Sequence, residues 1–277
     1  MKVIQINEFV KLHDGHKIFY SKYEYMPAAC DDINKKGNDA VLIVGGSDRC
    51  IYNHHLDMLP KNVKKVFFQN CHVDKDLWGD IIVPLPKGIE ISEVIKKGSY
   101  AWCGAEIEGE EKRETLSNPP QKNATKFIYA NFRVNTNPTH RGQIKDFVRN
   151  VPHITWQEPH GATDRVRFLE GRPYTDFVNN ILDHQAVICA QGNDKGDNLR
   201  IYETLYLSRV ALTFNPKMYE NLHHRFPTVL ISELKELEDF DGMKGKIASA
   251  EQKFNDPEVR MLLDFDYWKK TIQEAAN

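Results

Sequence analysis

The stretch AVICAQGNDKGDNLRIYETLYLSRVALTF, Ala186 to Phe214, decides the fold. It begins with Ala186–Ala190, a short apolar run with the character of a buried strand. Gly192, Asn193 and Gly196 then make a polar turn, and Asp197 and Asn198 are both good residues to open a helix. A second apolar run, Val210–Phe214, follows that helix. Strand, helix and strand in this order make a unit of a parallel sheet. A glycine turn running into a helix N-terminus also presents backbone N–H groups to a phosphate. Arg200 lies one turn into the helix, and Glu203 follows at i+3 on the same face. The cation suits a diphosphate and the carboxylate suits the hydroxyls of a ribose, as a nucleotide-sugar donor requires. The same two residues equally suit a surface ion pair at the end of an ordinary βαβ turn.

The alternation extends outward in both directions. Ala40–Val44, Val63–Gln69, Asp80–Pro84, Lys126–Phe132, His153–Trp156 and Thr228–Ile231 read as further buried strands. Helical patterns fall between them at Asn53–Met58, Glu90–Lys97, Thr139–Asn150, Thr175–Asp183, Asn198–Leu207 and Pro216–His224. The class is therefore α/β. Glu108–Asn123 is polar, charged and carries a Pro-Pro pair, so it reads as a linker. It divides the chain into residues 1–122 and 123–277, two Rossmann-like lobes with a central cleft. The tail from Asp256 to Asn277 reads as helix, with Val259, Leu262, Leu263, Tyr267 and Trp268 as its apolar stripe.

Composition narrows the function classes. Lysine and arginine number 37 against 39 aspartate and glutamate, a formal charge of −2, so no chain-wide field exists for nucleic acid or an anionic membrane. Five cysteines, Cys30, Cys50, Cys71, Cys103 and Cys189, form no C-x-x-C pair, which points to reduced, partly buried thiols. The first residues lack a signal-peptide pattern and no apolar run is long enough to span a membrane, so a soluble, cytoplasmic monomer is expected. No metal site is expected. The D-F-D tripeptides at Asp239–Asp241 and Asp264–Asp266 read as solvated acids or helix caps, and the adjacent pairs His54-His55 and His223-His224 point their rings apart.

With these residues in place, Gly192–Leu205 resembles the donor-binding signature of exostosin-like GT-B glycosyltransferases of bacteria and viruses. That pattern runs approximately P-x-G-N-G-x-D-x-H-R-x-W-E-A-L-x-x-G-x-x-P. Gly192, Asn193, Asp197, Arg200, Glu203 and Leu205 are kept. Ala190 replaces its proline, Leu199 its histidine, Tyr202 its tryptophan and Ser208 a glycine, and one extra residue lies between Asn193 and Asp197. Lys126–Arg141 resembles the family's Y-x-N-F-x-x-x-T-N-x-x-x-R segment through Tyr129, Asn131, Phe132, Thr136, Asn137 and Arg141. Val66–Asn70, Pro84–Glu90, Leu42–Asp48 and the Tyr267-Trp268 pair are similar to further family segments, with Gly45-Gly46 standing where His-Asn is usual. The likeness covers roughly residues 40–270.

The resemblance implies a GT-B transferase with its donor site in the second half. Arg200 and Glu203 would bind diphosphate and ribose, with Gly192, Asn193 and Asp197 beside them. Asn131, Arg133, Thr136 and Asn137 would face the cleft, and Arg133 or Arg141 would add charge for the leaving diphosphate. Fixed cations would then replace a metal, and no cofactor is implied. Asp48 is the candidate base, with His72 and His54 behind it, and Ser47 and Asn70 complete the acceptor side. Three readings of function stay open: transfer to a glycan, transfer to hydroxymethylated bases of viral DNA, and non-catalytic nucleotide or sugar binding. DNA would need a basic face, for which Lys61, Lys64, Lys65, Arg165, Arg167, Arg172, His223, His224 and Arg225 are the candidates.

Overall fold

Parallel strands buried on both faces must be apolar throughout, and Ala40–Val44 has no exposed residue along its length. In the computed structural model, which describes residues 1–6, 8–89, 112–158, 174–192, 195 and 197–277, this strand is β2 of a four-stranded sheet. β1 (Ile18–Ser21), β3 (Val63–Phe68) and β4 (Ile82–Pro84) complete it in the order β1-β2-β3-β4, all parallel. α1 (Met26–Lys36) connects the first two strands and stops at Gly37, whose φ of 71° is left-handed backbone. Neither β1 nor α1 was legible in the sequence. β1 is four residues set among charges, and α1 buries only Met26, Cys30 and Ile33, a stripe too narrow to stand out.

The second sheet holds β5 (Lys126–Ala130), β6 (Ile154–Trp156), β7 (His184–Cys189), β8 (Val210–Thr213) and β9 (Thr228–Leu230), again all parallel. Its order is β6-β5-β7-β8-β9, so the winding reverses beside β5. α2 (Pro138–Val148), α3 (Tyr174–Leu182), α4 (Leu199–Tyr206) and α5 (Pro216–Asn221) lie along it. Each strand expected from the sequence is present within about two residues, the usual uncertainty of an element boundary. The architecture is two Rossmann-like α/β lobes, as the sequence implied.

Three expectations are corrected. Asn53–Met58 is 3-10 rather than α-helix. The supposed linker contains a helical turn at residues 112–117 in which Lys112 and Leu116, four residues apart, are both buried. The tail is two helices, α7 (Pro257–Leu262) and α8 (Phe265–Ala275), after α6 (Phe240–Glu251). Asp264 breaks it by accepting the Asp266 N–H at 2.9 Å to cap α8. The helix expected at Glu90–Lys97 lies outside the described residues.

The tail also returns to the start of the chain. The Phe265 N–H donates to the Lys2 carbonyl at 2.9 Å, and the Phe265 and Phe9 rings lie 5.3 Å apart. The Tyr206 hydroxyl accepts from the Ile4 N–H and donates to the Leu263 carbonyl. One apolar cluster therefore joins Ile4, Val41 and Phe67 to Val187, Leu205 and Trp268, so both lobes share a core across the 122/123 division. No helix among the described residues is long and apolar enough to cross a membrane.

Ser208, where the resembling family has glycine, follows α4 with φ 55° and an exposed side chain. A left-handed serine costs about 1 kcal/mol relative to an unstrained residue. Ser208→Gly is therefore expected to raise the melting temperature by about 2 °C. An unchanged or lower midpoint in a thermal scan would refute the strain.

Candidate functional site

Ligands of open parallel sheets bind at the carboxyl ends of the strands where the winding reverses. Here that crevice lies between the segment after β5, Asn131–Asn137, and the segment after β7, which begins Ala190–Gly192 and resumes at Asp197. Both segments are tied down by side chains from the first turns of α2 and α4. Arg141 of α2 donates from Nε to the Gln191 carbonyl (2.7 Å), from Nη1 to that of Arg133 (2.8 Å) and from Nη2 to that of Ala190 (3.3 Å). The side chain is buried, and burial together with the nearby Arg200 guanidinium lowers its pKa to about 10. Arg141 is thus a clamp across the crevice rather than a solvent-facing arginine. Its residue type is explained by three carbonyls that only a forked donor reaches at once.

The asparagines behave similarly. Asn137 caps α2 by accepting the His140 N–H and donates to the Gly192 carbonyl at 3.2 Å. Asn131 donates to the Gln157 carbonyl at 3.1 Å. Asn198, not Asp197, is the cap of α4; it accepts the Arg200 N–H at 2.9 Å and donates to the Ala190 carbonyl. Thr136 and Arg133 are half-buried in the same loop, and a side chain added at Gly192 would meet only open space. Asn193 lies outside the described residues.

Arg200 and Glu203 share one face of α4, as the spacing requires. The Arg200 Nε lies 2.9 Å from Glu203 Oε2, an ion contact not aligned as a hydrogen bond. Its Nη1 is buried with no partner among the described residues, and the guanidinium packs 3.9 Å over the Phe177 ring. Glu203 is far from being a surface carboxylate: its side chain is 3% exposed. Lys112 Nζ reaches its Oε1 at 2.8 Å, and the Tyr174 hydroxyl donates to the same oxygen at 3.4 Å. No pattern in the sequence marks Lys112, Tyr174 or Phe177. Lys112 sits in a run of charges that reads as solvated, and the two rings read as ordinary core.

Asp197 is corrected from a donor ligand to an internal anchor. Its Oδ1 accepts from His223 Nε2 at 2.9 Å and from the Asn198 N–H at 2.7 Å, and its Oδ2 accepts the Tyr202 hydroxyl. Burial alone would raise its pKa, but His223, Tyr202 and Lys87 outweigh that and leave it lowered. The Tyr202 hydroxyl is pushed well up by burial and by Asp197. Across the lobe interface, Asn70 Oδ1 accepts the Asp197 N–H at 2.8 Å, while Asn70 Nδ2 donates to the Ser47 and Arg49 carbonyls. Asn70 holds this position with φ 53°. Asn221 donates across the same interface to the Cys71 and Val73 carbonyls, and Lys217 pairs with Asp74 at 2.5 Å.

The facing edge of the first lobe carries the remaining candidates. Asp48 is exposed and pairs with the buried Lys87 Nζ at 2.8 Å. Ser47 donates to Glu24 at 2.7 Å. Gly45 is needed because a side chain there would meet the Gln69 Oε1 at 2.5 Å, and that oxygen accepts the Gly46 N–H. Tyr52 stacks with His54 at 6.1 Å and meets His72 edge-on at 5.5 Å. Of the basic candidates, Lys64 pairs with Asp39, Arg225 with Glu258, and His223 is buried on Asp197, while Arg165, Arg167 and Arg172 lie outside the described residues. Asp239 and Asp264 of the D-F-D tripeptides cap α6 and α8. Cys30, Cys50, Cys71 and Cys189 are buried, and burial pushes the Cys71 and Cys189 thiols up to about 12; Cys103 lies outside the described residues.

No protein-family model and no curated protein matches this chain. Among solved structures it is similar to a spinosyn rhamnosyltransferase, at 12% identity and a TM-score of 0.44 over 96% of this chain and 75% of that one. It is also similar to trehalose-6-phosphate from E. coli bound with UDP-2-fluoro glucose (12%, TM-score 0.47, 98% and 75%). A third is α,α-trehalose 6-phosphate synthase from Burkholderia multivorans (12%, TM-score 0.45, 98% and 73%). Likeness at this level is one of overall arrangement and says nothing of substrate.

Leaving the buried donors around this carboxylate without their acceptor costs about 1–3 kcal/mol, so Asp197→Asn is expected to destabilise the protein at pH 7. Because the folded carboxyl titrates below its ordinary value, its contribution is complete above about pH 4 and drains away as the pH falls further. Urea unfolding of both proteins at pH 7 and pH 3 checks this. A stability gap equally wide at both would show that Asp197 is not the anchor.

Proposed function

We propose that the chain is an exostosin-like GT-B glycosyltransferase that moves a sugar from a nucleotide-sugar donor to a glycan hydroxyl without a metal. One observation carries the reading. Arg200, with a buried unpartnered Nη1, and Glu203 stand on one face of the helix that opens at the switch-point crevice. A buried guanidinium nitrogen with nothing to donate to is costly unless an acceptor is supplied, and a diphosphate oxygen is such an acceptor. Arg141 and Arg200 lie close enough to repel each other, so an anion between the loops relieves that repulsion. The α4 N-terminus adds its partial positive charge.

In this reading Arg200 binds the diphosphate and stabilises the charge that grows on it as the glycosidic bond breaks. Glu203 accepts from the ribose hydroxyls. Asp48, on the facing edge, takes the proton from the acceptor oxygen as that oxygen attacks the anomeric carbon. The first-lobe edge favours a glycan over DNA. Its rings, the half-exposed Tyr52 and His72 and the exposed His54, offer flat apolar faces with polar rims, whereas Lys64 and Arg225, two of the cations that a phosphate backbone would need, are already paired.

Thermal stabilisation by a panel of nucleoside diphosphates and nucleotide sugars, with EDTA present, tests the donor site. The expected result is a shift with one nucleotide that survives EDTA and is lost in Arg200→Ala. Shifts of equal size in wild type and Arg200→Ala would remove Arg200 from the site. For Asp48→Asn, donor binding is expected to persist while turnover falls by at least about 100-fold, the usual scale of a lost general base.

A further inference from the structure

We infer that Phe177 holds the flat face of the Arg200 guanidinium and so keeps its N–H edge open for a phosphate instead of closed on Glu203. The inference rests on Arg200 being the diphosphate ligand. An arginine and a glutamate at i,i+3 on one helix face can close on each other through two parallel N–H···O bonds. Here Arg200 Nε lies 2.9 Å from Glu203 Oε2 without hydrogen-bond alignment, and Nη1 donates to nothing among the described residues. The Arg200 side chain is 19% exposed and that of Glu203 3%, so water does little to replace the missing bonds.

A ring accounts for the geometry. Arg200 Cζ lies 3.9 Å from the centre of the Phe177 ring. A guanidinium aiming a nitrogen at the ring would hold Cζ further out by about one C–N bond, roughly 1.3 Å, so the two planes lie against each other. Phe177 stands on α3, and its ring is set by Tyr174 of the same helix at 5.8 Å and by Tyr129 of β5 at 6.4 Å. Stacking uses the face of the guanidinium, whereas its N–H groups lie in the plane and point out from the edge. The contact therefore stabilises the cation without consuming a donor. Turning the plane to meet both Glu203 oxygens would lift it off the ring. The edge lies beside the crevice, since Arg200 is close enough to Arg141 to repel it, and Arg141 holds the Arg133, Ala190 and Gln191 carbonyls of the crevice loops. Phe177 is thus a positioning residue that shapes the anion site before a ligand arrives.

Calorimetric titration with inorganic pyrophosphate, in EDTA, tests this on wild type, Arg200→Ala, Phe177→Leu, Phe177→Met and Phe177→Tyr, with thermal unfolding to show that each is folded. Pyrophosphate carries no base or sugar, so a change in its affinity cannot come from a nucleotide ring stacked on Phe177. Wild type is expected to bind it and Arg200→Ala to lose it. Phe177→Leu and Phe177→Met keep apolar bulk without the ring face, and each is expected to bind about tenfold more weakly, the scale of one desolvated cation–π contact. Phe177→Tyr keeps the ring and is expected to bind as wild type does. Wild-type affinity in Phe177→Leu and Phe177→Met overturns the inference and leaves Arg200 as the ligand. A loss in Phe177→Tyr as large as theirs overturns it too, because the ring face is then not what matters. Undiminished binding in Arg200→Ala overturns the donor reading and this inference together. If wild type does not bind pyrophosphate, the edge is not open and the inference fails, while the nucleotide panel decides separately whether the donor reading falls with it.

Discussion

The position of Asp197 is the constraint on which the rest depends. Its carboxylate gathers His223, Tyr202 and the N–H of Asn198, the cap of α4, while its own N–H is held by Asn70 from the other lobe. A single buried acid thus fixes where α4 begins, how that helix sits against the segment after α5, and how the first lobe meets the second. Arg200 and Glu203 inherit their places from it, since they lie three and six residues further along the same rigid helix. A burial this complete is tolerable only because each oxygen has partners. The energy of that arrangement is spent on position.

Most of the fold was legible because parallel strands leave an obvious trace. Runs such as Ala40–Val44 and Ala186–Cys189 are apolar on both faces, and nothing but burial explains them. β1 and α1 left no such trace, being short or mostly exposed. The site was legible in outline only. Residue type and spacing placed Arg200 and Glu203 on one helix face, but spacing carries no information about burial or partners from distant segments. Lys112 is ninety-one residues before Glu203, and no local pattern pairs them. Asp197, Arg141 and Asn137 show the converse. Their motif pattern reads as ligand binding, whereas their side chains hold backbone in place around a crevice.

These two groups of residues divide the work of the crevice. Arg141, Asn137 and Asn198 satisfy carbonyls of the loops on either side, so those loops are shaped before anything binds. Arg200, Glu203 and Lys112 form a second group in which partners are shared. One carboxylate faces two cations among the described residues, and one guanidinium nitrogen faces none. The first group favours rigidity and the second favours exchange. Mutations in the two groups should separate accordingly, the first through stability and the second through binding.

The contact between Phe265 and the first residues has a bearing on how the chain is made. Val3, Ile4 and Phe9 are buried in one cluster with Leu262, Leu263, Phe265 and Trp268. A ribosome delivers these partners about 250 residues later. During synthesis the opening segment pairs with Ile89 first and gains the rest of its apolar cover when Leu262–Trp268 emerges, so the first lobe is completed only after the second.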